Sequence, residues 1–386
     1  MLGMIRFACF LLSIHLICLP MHLATSTFAS EFDDGIQGVT QDEEESQSLF
    51  RRILKSKHKV VPVPIPISNP TIGTGLALGI LYLHPQDEGD ESLYKTTSGV
   101  VGMYTNSKSW MAGGFHSGSY LNDRIRPDAF VGYGDFNLKF YGIGDTPLPP
   151  GTYINYEAKT FFFMPKVLLR LASTRWFLGP DFYYLDIDAT FDLSDILPDN
   201  PSVNAKSKTG GLGLVGLYDS RDDNYWPMKG LRFEAIARNY GEHFGGDFKY
   251  NKFLLALGQY FSIRDRVTFT YRLDGQFIEG EAPFYDLSTI ALRGYPMGRF
   301  IDNHMMSAQG EVRWNCFWRI TALAFGGGGV TAGEIDAFGD ATPRWAGGAG
   351  FRFLILKEQK FNLGCDFAWG EDEFAFYIQI GDWLSR

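Results

Sequence analysis

The sequence predicts an all-β protein, a sixteen-stranded antiparallel transmembrane β-barrel. From residue 60 onward, successive segments alternate apolar and polar residues, which is the two-residue period of a β-strand. The apolar face of these segments is rich in Phe, Tyr and Trp, and aromatic residues form 16% of the chain. Long and short connections also alternate along the chain, as they do in barrels whose two ends face different compartments.

The N-terminal region precedes this repeating pattern. Residues 1–29 are similar to a secretory signal peptide, because Arg6 is followed by the apolar run Phe7–Leu19 and then by small residues suited to cleavage. A membrane anchor is the alternative. Residues 30–59 pass from an acidic to a basic stretch, and we expect a charged periplasmic linker. The transmembrane β-barrel then occupies residues 60–386.

Composition and motifs exclude several classes of protein. The net charge of −9 argues against nucleic-acid binding, which requires a basic surface. We find no nucleophile-elbow, Cys-x-x-Cys, His-Glu-x-x-His or P-loop motif, so we expect no catalytic residues, no cofactor and no metal site. Cleavage of the signal peptide would leave Cys316 and Cys365, which we place on non-adjacent strands and expect to be unpaired.

The polar faces of the strands favour a membrane barrel over a soluble sandwich or a lipocalin-like barrel. In residues 267–278, Val267 and Phe269 lie on one face, with Thr268 and Arg272 on the other. Neighbouring segments carry opposed charges on the polar face. Lipid outside and a charged, hydrated lumen inside explain both faces, and we expect no second apolar surface.

The alternation predicts sixteen strands, an even number. They are 60–67, 73–83, 94–105, 109–120, 127–140, 153–166, 174–191, 209–219, 230–241, 248–261, 267–279, 304–316, 319–331, 344–356, 360–369 and 373–383. With both ends in the periplasm, the long gaps 141–152, 192–208, 280–303 and 332–343 lie outside. Two gaps, 84–93 and 220–229, are long for periplasmic turns.

The first strand carries Pro62, Pro64 and Pro66 at alternate positions. Alternate residues direct their backbone groups toward the same neighbour, so the prolines remove donors from one edge only. We expect this edge to lie at the closing seam of the barrel, where fewer hydrogen bonds would ease opening. The alternative is an extended linker that leads into a fifteen-stranded or rearranged barrel.

Three motifs resemble the BamA/TamA family of outer-membrane proteins, the bacterial surface antigen group. One is LRGYPMGRF at 292–300 followed by QGEVRW at 309–314, similar to the family's Arg-Gly-aromatic loop and Glu-x-Arg strand. The others are the Asp-x-Arg-Asp turn within 211–235, and GGAGFRF at 347–353 with the final strand 374–383.

The resemblance implies a barrel whose sixth extracellular loop folds into the lumen. Its arginine, here Arg293, would be held by acidic groups, for which Glu311 and Glu234 are the candidates. Gly294 would permit a tight turn, and Tyr295 would pack on the wall with its hydroxyl in water. Arg313 completes the Glu-x-Arg motif. An ordinary polar loop is the alternative.

Three departures from the family pattern stand out. The family often has Phe-x-Asp on the strand after Glu-x-Arg, and this chain has Gly327 at the Asp position. Residues 31–59 are too short for a POTRA module. Trp383, the last aromatic residue, is not terminal.

Asp219, Arg221 and Asp222 are predicted to stabilise a periplasmic turn rather than form a metal or catalytic site.

The functional prediction is insertion or translocation of polypeptides at the outer membrane of a Gram-negative-type bacterium. A passive pore or structural surface protein is the main alternative, and an outer-membrane enzyme is the third. The expected partners are outer-membrane lipid and the barrel-assembly machinery for the protein's own insertion. A separate POTRA-like periplasmic partner or polypeptide clients are further candidates.

Overall fold

The computed structural model describes residues 60–84, 96–144, 146–148, 152–194, 202–223, 226–356, 360–371 and 373–384. The predicted signal peptide and the predicted linker both lie in residues 1–59, outside the described residues. Sixteen strands form one antiparallel sheet in chain order. The predicted fold class is therefore confirmed.

The barrel strands follow the predicted segments closely. They are β1 Val60–Asn69, β2 Gly73–Leu83, β3 Thr97–Thr105, β4 Trp110–Ser117, β5 Ile125–Phe140, β6 Ile154–Arg170, β7 Trp176–Asp192, β8 Ser202–Asp219, β9 Gly230–Tyr240, β10 Tyr250–Arg264, β11 Val267–Gly280, β12 His304–Phe317, β13 Ile320–Ala332, β14 Arg344–Leu356, β15 Phe361–Trp369 and β16 Phe374–Ile380.

The connections between the barrel strands contain smaller elements of secondary structure. Two-residue strands pair Gly142–Ile143 with Thr146–Pro147 and Ser288–Thr289 with Ile301–Asp302. Short 3₁₀ turns span Glu242–Phe244, Phe284–Asp286 and Ile335–Gly339. In the described part of the chain, no helix has the length and apolar character needed to cross a membrane.

Several strand ends differ from the prediction by three residues or more, and two of them have a clear local cause. β8 begins at Ser202 rather than 209, because cross-strand ion pairs let a polar segment continue the ladder. One such pair joins Lys206 Nζ to Asp188 Oδ2 at 2.9 Å. β16 ends at Ile380 rather than 383, because Gly381 has a φ of 64° and turns the chain out of the sheet.

The proline-bearing segment is a strand, so the linker alternative is wrong. β1 pairs with β2 along its whole length, from Val60↔Tyr82 to Asn69↔Gly73. An antiparallel ladder needs donors on alternate residues, and proline has none. The donors toward β2 therefore come from the intervening residues, and the prolines face the opposite edge.

That opposite edge is the seam, meaning the junction between β1 and β16. These strands are the two ends of the sheet order, so no ladder joins their described residues. They lie side by side, and Ser68 Oγ donates to the carbonyl of Phe376 at 3.0 Å.

The outer face of the barrel is apolar, and the interior has two different halves. Large apolar side chains such as Leu76, Val100 and Trp314 are exposed on the outer face. Inside β9–β16, charged residues are buried as predicted. Inside β1–β7, however, many of the buried residues belong to an apolar cluster that includes Phe130 and Phe162, with ring centroids 6.4 Å apart.

The expectation of a wholly hydrated lumen is therefore wrong for the first half of the barrel. The physical reason is the connection between β11 and β12, which enters the interior. Tyr285, Leu287 and Ile301 of this connection belong to the same apolar cluster as the wall of β1–β7. The wall is apolar where it packs against protein instead of water.

Candidate functional site

The connection between β11 and β12, residues 281–303, is called the inner loop here. Its small sheet, Ser288–Thr289 with Ile301–Asp302, closes the segment into a hairpin whose tip is 291–300. Leu292, Arg293 and Tyr295 at the tip are all buried. The hairpin thus carries a charged residue into the interior of the barrel.

Arg293 is 1% exposed and is held by three side chains of the barrel wall. Its guanidinium donates to Glu311 Oε2 at 2.6 Å, Asp366 Oδ2 at 3.1 Å and Gln309 Oε1 at 3.1 Å. The guanidinium carbon also lies 3.5 Å from the ring centroid of Phe325. A guanidinium keeps its charge when buried, so these partners make the inward position of the loop possible.

Two further arginines share these carboxylates. Arg313 donates to Glu311 Oε1 at 2.7 Å and also to Asp382. Arg352 binds Asp366 through two hydrogen bonds, at 2.6 Å and 2.9 Å. We call this set the arginine network: Arg293, Arg313, Arg352, Glu311, Asp366 and Asp382. Its three positive and three negative charges balance, and every member is buried.

The structure brings Arg293 and Glu311 together but not Arg293 and Glu234. Glu234 instead accepts from Arg232, two residues away on the same face of β9, at 3.1 Å. The prediction of Glu234 as a partner is therefore wrong. A nearer arginine on its own strand takes the carboxylate.

Asp366 replaces the acidic residue that the family pattern places at position 327. A Cβ at Gly327 would collide with the backbone of Ala308 and Gln309, so no larger side chain fits there. Gly350 leaves the space that Asp366 fills, since a Cβ at Gly350 would meet its carboxylate. Sequence reasoning missed Asp366, although alternation along β15 puts it on the inner face.

Gly294 and Tyr295 fix the tip beside Arg293. Gly294 has a φ of 120°, which favours glycine, and its N–H donates to Tyr377 Oη at 3.1 Å. Tyr295 Oη donates to the carbonyl of Trp345 at 2.6 Å and accepts from the N–H of Glu371. Burial raises the pKa of Tyr295, which keeps this donor protonated. The backbone supplies both of these partners of the hydroxyl.

A second buried anchor holds the start of the inner loop. Lys252 Nζ lies 3.0 Å from Asp286 Oδ1, and both side chains are fully buried. Tyr250 also donates to Asp286. The neighbouring Tyr285 Oη lies 2.9 Å from the hydroxyls of Ser207 and Thr209. Sequence reasoning missed this anchor, although Lys252 alternates onto the inner face of β10.

The inner loop contacts both flanks of the seam. The N–H of Met297 donates to Thr71 Oγ1, just after β1, at 2.7 Å. Arg299 Nε donates to Glu373 Oε1, just before β16, at 3.0 Å. One loop therefore touches the two strands that no ladder joins.

The turn between β8 and β9 also reaches the arginine network. Arg221 pairs with Asp219 at 2.7 Å, and Asp222 Oδ1 accepts from the N–H groups of Met228 and Lys229 at 2.9 Å and 3.1 Å. The same turn contributes a buried tryptophan, Trp226. This inward course accounts for the length of the 220–229 connection.

Trp226 and Pro227 both contact Arg313. The guanidinium carbon of Arg313 lies 4.2 Å from the ring centroid of Trp226. Its Nη1 donates to the carbonyl of Pro227 at 3.2 Å. Both remaining cysteines, Cys316 and Cys365, are free thiols.

These features together define a class: a sixteen-stranded barrel with an unjoined seam and a lumenal loop held by buried ion pairs. Residues 172–327 match the Omp85 superfamily domain. The resemblance inferred from the 292–300 and 309–314 motifs is thereby confirmed. No curated protein matches the chain.

Solved structures share the fold. BamA from Haemophilus ducreyi lacking POTRA domains 1-3 has a TM-score of 0.59 and 14% identity, covering 85% of this chain and 71% of that chain. CdiB from Escherichia coli has a TM-score of 0.59 and 12% identity, covering 94% and 74%. CdiB from Acinetobacter baumannii has a TM-score of 0.58 and 13% identity, covering 83% and 59%.

Proposed function

We propose that this protein inserts polypeptides into the outer membrane of a Gram-negative-type bacterium, or moves them across it. The observation that carries the proposal is the inner loop, which is held by Arg293 and contacts both flanks of the seam. A barrel with this arrangement can exchange its weak first-to-last strand contact for a contact with a client strand. The Omp85 domain and the BamA and CdiB folds support this reading.

The weak edge of β1 gives a physical route for a client. Three prolines remove backbone donors that would otherwise face β16. Opening the seam therefore breaks fewer hydrogen bonds than opening any other pair of strands. The exposed edge of β16 keeps its own donors and acceptors and can pair with an incoming strand.

The described interior argues against a passive pore. The inner loop, the turn carrying Trp226 and the segment after β16 all occupy the lumen. A steady large conductance needs an open water path, which these buried segments obstruct. We therefore rank a passive pore as the second candidate function.

The proposal is tested by reconstitution. The full chain is placed in lipid vesicles, and an unfolded outer-membrane barrel is added as client. We expect the client to fold faster than in protein-free vesicles, as measured by its heat-dependent shift on a gel. Equal folding rates would refute insertion, and a steady large conductance in planar bilayers would favour the pore.

The domain organisation and partners belong to the same proposal. Residues 1–29 would direct export, residues 30–59 would lie in the periplasm as a linker, and residues 60–386 would form the membrane barrel. A separate POTRA-like periplasmic partner is expected to deliver clients. Affinity purification from outer-membrane extracts tests this: recovery of a POTRA-containing protein supports it, and recovery of none refutes it.

A further inference from the structure

The segment that follows β16, Gly381–Leu384, folds into the lumen and is called the inner tail here. Asp382 and Leu384 are each 1% exposed. The left-handed Gly381 produces the turn, and its N–H still donates to the carbonyl of Asn362 at 2.8 Å. The inner tail thus leaves the sheet and crosses toward β10, β11 and β12.

Wall residues supply donors to three acceptor groups of the inner tail. Arg352 Nε donates to the carbonyl of Gly381 at 3.4 Å. Arg272 Nη1 donates to the carbonyl of Leu384 at 3.0 Å. These two acceptors are main-chain carbonyls, which any extended peptide presents.

The third acceptor is a carboxylate. Tyr260 Oη donates to Asp382 Oδ2 at 2.7 Å, and Arg313 donates to Asp382 Oδ1. A charged hydrogen bond of this kind distinguishes an acidic residue from its amide analogue. The site therefore recognises one side-chain charge of the bound segment as well as its backbone.

Apolar contacts complete the site. The ring of Trp383 lies 5.4 Å from that of Tyr377, centroid to centroid, and the guanidinium carbon of Arg293 lies 5.6 Å from the Trp383 ring. Leu384 is buried in the same region. Thus an acidic, an aromatic and an aliphatic residue follow one another in the inner tail.

The charges of the arginine network favour an acidic occupant. With Asp382 in place, three arginines face three carboxylates. Without Asp382, the same three arginines face only Glu311 and Asp366, which leaves one excess positive charge in a buried site. A ligand that restores the carboxylate is therefore favoured electrostatically.

We propose that this site, formed by Tyr260, Arg272 and Arg313, binds a polypeptide segment in which an acidic residue is followed by an aromatic and an aliphatic residue. The inner tail is its internal occupant, and a client segment displaces it. This inference rests on the proposed function and specifies the class of client sequence. Because the inner tail is continuous with β16, its displacement acts directly on a strand of the seam.

The test measures binding directly, with no insertion step. A fluorescent tetrapeptide, Gly-Asp-Trp-Leu, is titrated against the detergent-solubilised protein and followed by anisotropy. Three variants are compared with the full chain: one shortened after Gly381, Asp382→Asn, and the exposed control Asp340→Asn. The control also removes one carboxylate, but from the connection between β13 and β14.

We expect the shortened variant to bind the peptide at least about tenfold more tightly than the full chain, and Asp382→Asn to bind it with intermediate affinity. Asp340→Asn should match the full chain. The analogue Gly-Asn-Trp-Leu should bind the shortened variant about tenfold more weakly, because it lacks the charge.

Equal binding of the two peptides would overturn the assignment. If the shortened variant does not fold, unchanged binding to folded Asp382→Asn would overturn it too. Accelerated client folding without peptide binding would remove this inference and leave the proposed function intact. Peptide binding without accelerated client folding would support the peptide site and refute the proposed insertion of clients.

Discussion

Substitution of the residues around Arg293 probes the inner loop most closely. Arg293→Ala removes the charge that the loop carries inward, yet it leaves neither Glu311 nor Asp366 without an arginine partner. Glu311 keeps Arg313, at 2.7 Å, and Asp366 keeps its two bonds to Arg352. We therefore expect the barrel to stay inserted while the loop loosens.

The structure ranks three variants. Arg293→Ala should shift the loop equilibrium by about 2–3 kcal/mol, since its charged hydrogen bonds are lost while Glu311 and Asp366 each keep a bound arginine. Glu311→Gln should have a smaller effect, because both arginines that it contacts retain another carboxylate. Asp366→Asn should cost most, about 3–5 kcal/mol, because it leaves Arg352 without its bidentate partner.

Trypsin cleavage after Arg299 reports loop release on intact cells. A shift of about 2–3 kcal/mol corresponds to cleavage that is roughly 30- to 150-fold faster when the loop opens and closes rapidly relative to cleavage. Lys159→Ala is the control, because it removes an ion pair with Glu157 on β6 that is 50% and 41% exposed, and cleavage after Arg299 should stay unchanged.

A double mutant tests the coupling between Arg293 and Glu311. Arg293→Ala with Glu311→Gln should be no worse than the more damaging single variant, because two arginines then face two carboxylates. If Arg293→Ala, Glu311→Gln and Asp366→Asn all leave Arg299 as protected from trypsin as in wild type, the claim that these residues hold the inner loop in the lumen is wrong.

Three other predictions concern different parts of the barrel. Lys252→Met should release the start of the inner loop by about 3–5 kcal/mol, since it leaves Asp286 buried without its cation; hydrogen exchange should detect this, and adding Asp286→Asn should partly restore protection. Gly350→Ala should mimic loss of the loop-tip ion pair in the trypsin assay, because its Cβ would displace the carboxylate; wild-type protection would contradict this. A cysteine at position 336 should react with an impermeant maleimide on intact cells, whereas a cysteine at position 222 should react only after permeabilisation. Labelling at position 222 on intact cells would contradict the predicted topology.

The strands could be predicted from sequence because a two-residue period is a local property of the chain. Val312 and Trp314 lie outward and Glu311 and Arg313 inward, as alternation requires. The apolar interior of β1–β7 was missed for a related reason. Alternation shows which residues share a face, and it does not show whether that face meets water or an inserted loop.

The ion-pair partners could be predicted only in part. Glu311 follows Arg293 closely in sequence and carries a motif, whereas Asp366 lies three strands further along the sheet and carries none. The inward course of the inner tail depends on one left-handed residue, Gly381. A single glycine near a strand end is too weak a signal to predict it.

Cross-linking of the seam tests the central claim most directly. Opposition of Ser68 and Phe376 places Ile65 beside Gln379, and both are buried on the inner face. Ile378 is not a suitable partner for Ile65, because alternation puts it on the outer face, between buried Tyr377 and Gln379.

The measurement uses Ile65→Cys with Gln379→Cys in a chain whose Cys316 and Cys365 are replaced by serine. Oxidation should close the seam, and reconstituted client folding should then fall to the protein-free rate. Reduction should restore it. A matched pair across the β1–β2 ladder, Ile65→Cys with Ala77→Cys, should leave client folding unaffected by oxidation. Undiminished client folding with a fully oxidised seam would contradict the proposal that clients enter the membrane between β1 and β16.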